Sequence, residues 1–262
     1  MNIRILGCSG SEGLLEGENG PRRCNSCGFL LNDNFLIDAG TIASALPVKD
    51  QRQIRHVFLS HLHFDHIRGL PTLADNLSEH ITEPIVVAGI PEVISGLRRH
   101  IFNTEVYPDF FTIPTAQRPT LTSYDLKPGN AYTLSGVQIT PILVNHTVPT
   151  TGLIVQDDRS AFVYSGDTCS TDELWREASR VPHLKAAFIE CSYPDGMQEL
   201  ARASKHLTPT LLSQEVAKLG RPGIAIYAYH LKPVYKAQIV QELKKQPIPN
   251  LTILEEGQTL TL

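Results

Sequence analysis

Six consecutive residues, His61-Leu62-His63-Phe64-Asp65-His66, hold three imidazoles and a carboxylate, the donor types that bind a divalent ion through nitrogen and oxygen. In an extended segment His61 and His63 point the same way and can reach one ion. If the chain then turns into a helix near Asp65, Asp65 and His66 project elsewhere, toward a second ion. Three further donors stand just after apolar, strand-like runs: His146, Asp167 and His230. His146 would complete the first ligand set and His230 the second, and the Asp167 carboxylate could bridge the two. Ligand sites in α/β sheets lie outside the carboxyl ends of strands, so four such runs each ending in His or Asp predict one convergent site. Two ions about 3.5–4 Å apart would hold a hydroxide between them and neutralise charge on a displaced oxygen, which is hydrolytic chemistry. The ligand types suit zinc and also admit manganese or iron.

The elements that must position these residues follow from the pattern of apolar runs. Strands are predicted at 2–6, 29–31, 35–38, 54–60, 85–88, 137–144, 153–156, 160–165, 186–190, 224–229 and 251–254. Asn32-Asp33-Asn34 and Asp157-Asp158-Arg159 read as hairpin turns. A helix is predicted over 65–77, with Ile67, Leu70, Leu73, Ala74 and Leu77 on one stripe. A second starts at Thr208 as N-cap with Pro209 in the first turn and stops at Gly220, and a third covers 234–244. Many strands with few helices between and after them imply an α/β fold with two sheets covered outside by helices.

Bulk properties agree with that frame. The chain has 262 residues, 42% hydrophobic and 19% charged, enough for one domain over 1–262 with a large core. Its formal net charge of −4 argues against binding nucleic acid through a broad basic surface. It leaves room for a small anionic substrate, because bound metal brings its own positive charge. The first residues show no basic region followed by a long apolar stretch, and no run approaches the length of a membrane span, so no cleavable signal and no membrane partner are expected. Five scattered cysteines fit a reduced, cytoplasmic setting better than a disulfide scaffold.

The segment from His61 to His66 resembles the His-x-His-x-Asp-His motif of the metallo-β-lactamase superfamily, and His146, Asp167 and His230 match its remaining metal positions. The resemblance implies a four-layer αββα sandwich. Within the superfamily the chain is similar to the class II 3′,5′-cyclic-nucleotide phosphodiesterases. The similarity lies in His61 through Gly69-Leu70-Pro71, His146-Thr147-Val148-Pro149, Glu190-Cys191-Ser192, Lys205-His206-Leu207-Thr208-Pro209 and His230-Leu231-Lys232-Pro233. Phe64 departs from the Leu usual in that class, at a position that is not a ligand. The resemblance implies hydrolysis of cyclic AMP or cyclic GMP to the 5′-monophosphate and a homodimer. Metal and chemical roles are implied for Asp65, and Glu190 and His206 resemble the Glu and His beside the metals of related phosphodiesterases such as RNase Z. His206 is expected to donate a proton to the leaving 3′ oxygen or to contact phosphate, with Glu190 orienting it. Lys232 is a candidate phosphate contact. The rivals are an RNA-processing phosphodiesterase, a thioester or lactam hydrolase, and a non-catalytic nucleotide-binding module.

Other signals carry less. The Gly7–Gly13 segment lacks the Gly-Lys-Ser/Thr ending of a P-loop and reads as a tight loop bordering the site. Cys24-Asn25-Ser26-Cys27, even with Cys8, lacks the second pair that marks a structural zinc site. His56, His80, His100 and His183 read as surface residues. The aromatic stretch with Phe102, Tyr107 and Phe110 could be a lid over a base or a packed loop.

Overall fold

The computed structural model describes residues 1–16 and 20–262. Neighbouring residues along its strands face different cores. Phe35 and Ile37 face one hydrophobic cluster and Leu36 another, and Phe29 and Leu31 alternate with Leu30 in the same way. In the second half Leu153, Val155, Phe162, Tyr164 and Phe188 face the cluster shared with Phe35, while Ile154, Val163 and Ile189 face a third. Strands buried on both sides must lie between layers, which is why their sequences run apolar instead of alternating with polar residues.

Among the described residues the strands form two seven-stranded sheets and two short ribbons. The first sheet runs in the order Leu121–Asp125, Ile85–Gly89, His56–Phe58, Phe35–Ile37, Gly28–Leu31, Asn2–Gly7, Thr259–Thr261. Its first four members are parallel and the rest antiparallel. The second runs Tyr132–Leu134, Val137–Leu143, Thr151–Gln156, Ala161–Tyr164, Leu184–Glu190, Ala225–Tyr229, Leu251–Ile253. Two antiparallel steps connect Val137–Leu143 to Ala161–Tyr164, and parallel steps follow. The strands that precede His146, Asp167, Glu190 and His230 therefore all run in one direction and end on one edge. The sheets pack face to face, and helices cover each outer face, giving the αββα sandwich.

The expected strands are present with no bound moved by more than two residues, and both hairpins are antiparallel. Thr208 caps the helix Pro209–Leu219 by accepting from the Leu211 N–H, and Gly220 ends it at φ 60°. The helix over 65–77 is divided into Phe64–Ile67 and Gly69–Leu77. The cause is the 38–40 loop. The Gly69 N–H leaves the helical ladder to donate to the Ala39 carbonyl at 2.7 Å, and a side chain on Gly40 would collide with the Asp65 carbonyl. The third helix begins as a 3₁₀ turn at Pro233–Tyr235 and continues over Lys236–Leu243.

Helices are more numerous than expected. Pro91–His100 buries Val93, Ile94 and Leu97, and Glu173–Ser179 buries Leu174, Trp175 and Ala178. Val48–Gln51 and Gln198–Ala203 are short. The short strands Gly13–Leu15, Arg22–Cys24, Pro114–Thr115 and Arg118–Pro119, together with Leu121–Asp125, Tyr132–Leu134 and Thr259–Thr261, were not anticipated. No helix among the described residues is long and apolar enough to cross a membrane.

The aromatic segment is a packed loop and not a lid. Phe102, Phe110 and Phe111 are buried in the cluster beneath the first sheet, with the Phe102 and Phe111 ring centroids 5.5 Å apart. Phe102→Ala should therefore lower unfolding stability by about 3–5 kcal/mol in chemical denaturation. A loss below about 1 kcal/mol would be inconsistent with this packing.

Candidate metal centre and active site

The edge where the strands end collects seven residues. His61 follows His56–Phe58, His63 to His66 cap and open the short helix after it, and His146, Asp167 and His230 follow their strands in the second sheet. His61, His63, His146 and Asp167 offer donor atoms that all lie within 4.8 Å of one another. On the other side of Asp167, its Oδ2 lies 3.3 Å from Nε2 of His66 and 3.3 Å from Nε2 of His230. Asp65 Oδ2 is 3.4 Å from His230 Nε2 and 3.7 Å from His66 Nε2. Asp167 thus stands between two groups: His61, His63 and His146, then Asp65, His66 and His230.

The hydrogen bonds behind the rings fix their tautomers. Ser60 Oγ donates to Asp38 at 2.9 Å, so its remaining lone pair accepts from His61 Nδ1. His66 Nδ1 donates to Asp38 Oδ2 at 2.8 Å. His146 Nδ1 donates to the Lys205 carbonyl at 3.0 Å. Ser192 Oγ donates to Glu190 Oε2 and accepts from His230 Nδ1 at 2.8 Å. Each of these four rings therefore turns Nε2 inward, and at His66 burial is outweighed by the Asp167 and Asp38 carboxylates, which raise its pKa, so a bound cation would take the place of an Nε2 proton there.

That arrangement fits a divalent cation. The Nε2 atoms of His66 and His230 lie 3.2 Å apart, and His146 Nε2 lies 3.1 Å from His63 Nδ1. Two such nitrogens approach this closely only with a proton or a cation between them. His61 Nε2 and Asp167 Oδ1 are buried without a protein hydrogen-bond partner, which a satisfied structural network would not leave. Burial and the nearby His66 hold the His61 pKa well below its ordinary value, and burial lowers His63 and His146. These imidazoles are neutral, as ligands must be. Burial opposes charge on Asp167, yet His230 and His66 outweigh it and keep its carboxyl well below the usual range. Asp65 is shifted the same way, against burial, by His230 and His66.

His206 and Glu190 sit against the same cluster. His206 Nδ1 lies 2.7 Å from Glu190 Oε1, and Glu190 also accepts from the Thr168 N–H at 3.2 Å. His206 offers a donor atom within 4.8 Å of those of Asp167 and His230. Burial works against a charged His206, but the Glu190 carboxylate prevails and raises its pKa. Lys232 is half-buried beside the site mouth, its Nζ 3.5 Å from the Gly10 carbonyl and 5.4 Å from the Tyr193 ring centre.

Several functional positions were not anticipated from sequence: Asp38, Ser60, Tyr164, Ser192 and the Lys205 carbonyl. Asp38 had a legible signal, an acidic residue directly after a buried strand and before Ala39-Gly40. The Gly7–Gly13 loop does border the site, and a side chain on Gly10 would overlap the His230 backbone. Cys8, Cys24 and Cys27 are buried free thiols, and burial, with Glu256 adding, pushes Cys8 up to about 12. Among the described residues they form no three-sulfur group; Cys27 instead lies within reach of His66 and His230. His80, His100 and His183 are exposed, whereas His56 is half-buried with Nδ1 2.7 Å from Ser135 Oγ.

The chain matches the family model described as a beta-lactamase superfamily domain over residues 33–245. It is 28% identical over 224 residues to a Yersinia pestis protein named "probable 3′,5′-cyclic-nucleotide phosphodiesterase", covering 75% of this chain. It is 25% identical over 226 residues to a ribonuclease Z of Bacteroides thetaiotaomicron, covering 80% of this chain. The chain spans 64% and 61% of the length of these two relatives. Among solved structures, unliganded yeast PDE1 shares the fold with a TM-score of 0.80 and 20% identity, over 100% of this chain and 99% of that one.

Substitutions separate ligands from their supports. Asp167→Ala should lose metal on dialysis against a chelator, whereas Asp38→Ala should keep it with affinity lowered about 10–100-fold. Elemental analysis and zinc titration measure both, and full metal retention in Asp167→Ala would remove the assignment of this cluster.

Proposed function

The chain belongs to the beta-lactamase superfamily domain family and is a hydrolase of that superfamily, and we propose that it is a metal-dependent phosphodiesterase that opens 3′,5′-cyclic nucleotides. Cyclic AMP or cyclic GMP would be converted to the 5′-monophosphate. The observation that carries this reading is the His206–Glu190 pair beside Asp167 and His230, which sets a proton donor next to two candidate cation positions. Similarity to the named cyclic-nucleotide phosphodiesterase supports the substrate class.

His61, His63 and His146 would hold one ion and Asp65, His66 and His230 the other, with Asp167 shared. Two divalent ions, zinc by this donor chemistry with manganese or iron also accommodated, would supply the positive charge that activates water and stabilises the displaced oxygen. The protein's own groups account for the rest. Glu190 accepts from His206 Nδ1 and raises its proton affinity, so the opposite nitrogen is left to contact phosphate or to protonate the leaving 3′ oxygen. Asp65, partly exposed where His61 and His66 are buried, faces the side from which water and substrate arrive. Lys232 adds a positive charge at the mouth, suited to a phosphate oxygen.

The similarity to ribonuclease Z favours a second reading, cleavage of an RNA phosphodiester by the same groups. The net charge of −4 weighs against it, because RNA docking draws on a basic surface.

A panel of cyclic mononucleotides, linear diesters and pre-tRNA, run with zinc and with manganese, tests both. The expected result is 5′-monophosphate from cyclic AMP or cyclic GMP. Turnover of pre-tRNA alone would establish the second reading, and tight cyclic-nucleotide binding without turnover in any metal would point to a non-catalytic module. In the active enzyme His206→Ala should lower kcat about 10²–10⁴-fold with metal content unchanged; unchanged turnover would dismiss its role.

A further inference from the structure

Lys205 occupies a conformation that a lysine rarely takes, with φ 54°. The conformation ends the helix Gln198–Ala203 in a left-handed turn, with the Lys205 N–H donating to the Arg202 carbonyl and the His206 N–H to the Ala201 carbonyl. The Lys205 carbonyl accepts from His146 Nδ1 at 3.0 Å, and the Lys205 ammonium donates back to the His146 carbonyl at 2.8 Å. Two atoms of one residue thus grip two atoms of another, 59 positions away in sequence. The next residue is His206, whose ring lies against that of His146 with centroids 5.0 Å apart and stacks on that of His230 at 5.4 Å. The His206 N–H is itself bound at 2.7 Å to the Ala201 carbonyl, so the loop entering His206 is held at both residues.

We infer that Lys205 is a positioning residue: it clamps His146 so that Nε2 faces His63 and the first cation position, and it ties the His206 loop to that ligand. The inference rests on reading His61, His63, His146 and Asp167 as a cation site. The helix-ending turn aims the Lys205 carbonyl at His146 Nδ1, and a lysine at a position where such turns usually carry glycine or asparagine adds the second bond, from its ammonium to the His146 carbonyl. His146 follows its strand on an exposed stretch, with Asn145, Thr147 and Pro149 open to solvent. His146 itself is buried against the rings of His61, His63 and His206, and the Lys205 carbonyl sets which ring nitrogen carries the proton while the ammonium holds the His146 backbone. The clamp gives the two functions of the loop a common anchor, one ring ligating and the next one poised to move a proton.

The test needs no substrate. Zinc is titrated into the metal-free full chain against a chromogenic chelator, giving two dissociation constants. Lys205→Met should weaken one ion about tenfold and leave the other unchanged. Lys205→Arg should restore most of the loss. Lys205→Gly, which accepts φ 54° without strain and keeps the carbonyl but lacks the ammonium, should weaken the same ion. In the metal-free protein, ¹⁵N shifts should report a single Nδ1-protonated tautomer for His146 in the wild type and in Lys205→Arg, and a mixture in Lys205→Met. Wild-type zinc affinities with an unchanged tautomer in both the Met and Gly variants would overturn the clamp. Equal weakening of both ions would do so too, since it marks a general loss of structure. A protein that hydrolyses no cyclic nucleotide yet shows the selective loss keeps the clamp and discards the substrate assignment.

Discussion

Everything at the active edge depends on one fully buried carboxylate. Asp38 accepts from the Ser60 N–H and Oγ, from His66 Nδ1, and from the Tyr164 hydroxyl at 2.7 Å. Ser60 and His66 belong to the first half of the chain and Tyr164 to a strand of the opposite sheet, so the carboxylate joins the two sheets directly beneath the candidate ligand cluster. A buried charge is costly unless its lone pairs are satisfied, and here four donors satisfy it. In return it orients His66 directly and His61 through Ser60. The two candidate cation positions therefore share a support below, Asp38, as they share Asp167 above.

This hub explains why the ligand cluster and its surroundings differ in how plainly they appear in sequence. His61 through His66 are packed into six positions, and His146, Asp167 and His230 each follow an apolar run, so their convergence could be argued from strand direction alone. Asp38, Ser192 and Lys205 act through hydrogen bonds to rings 28, 38 and 59 positions away, and nothing in their local sequence declares those partners. The strands were legible because both faces are buried, which leaves short unbroken apolar runs. The helices Pro91–His100 and Glu173–Ser179 carry apolar residues at helical spacing, with Pro91 as a start signal, and a stricter search for periodicity would have found them. The break at Arg68 could not be found that way, because it results from Ala39 and Gly40 pressing into the helix from another segment.

The two halves of the site are built to different tolerances. His61, His66, Asp167 and Glu190 are fully or nearly fully buried, and His66 and Glu190 are each held by more than one hydrogen bond, whereas His63, Asp65 and Lys232 are only partly buried. The rigid half sets where positive charge must sit; the open half is where water and an anionic substrate enter. Preorganised charge at the bottom of a cleft acts most strongly on groups that have left bulk water, so burial of the supporting residues serves the chemistry as well as the fold. The acidic net charge is compatible with this division, since the attraction for an anion would come from the metal cluster and from Lys232 and not from the surface at large.

Three of the nine described non-glycine residues with positive φ lie at this edge. Asp38, His230, Lys205 and Gly166 all have φ between 54° and 65°, and each lies in or directly beside the ligand cluster. Only one of the four is glycine. A left-handed residue that keeps its side chain costs on the order of 1–3 kcal/mol. At Asp38 the carboxylate is needed for the hub, at His230 the imidazole for the cluster, at Lys205 both carbonyl and ammonium for His146. At Gly166 a backbone reversal is needed immediately before Asp167, and any Cβ would press on the Thr151 carbonyl. Along this edge the left-handed turns therefore do two jobs at once, ending a strand or a helix and delivering Asp38, Lys205 and His230 to the ligand cluster.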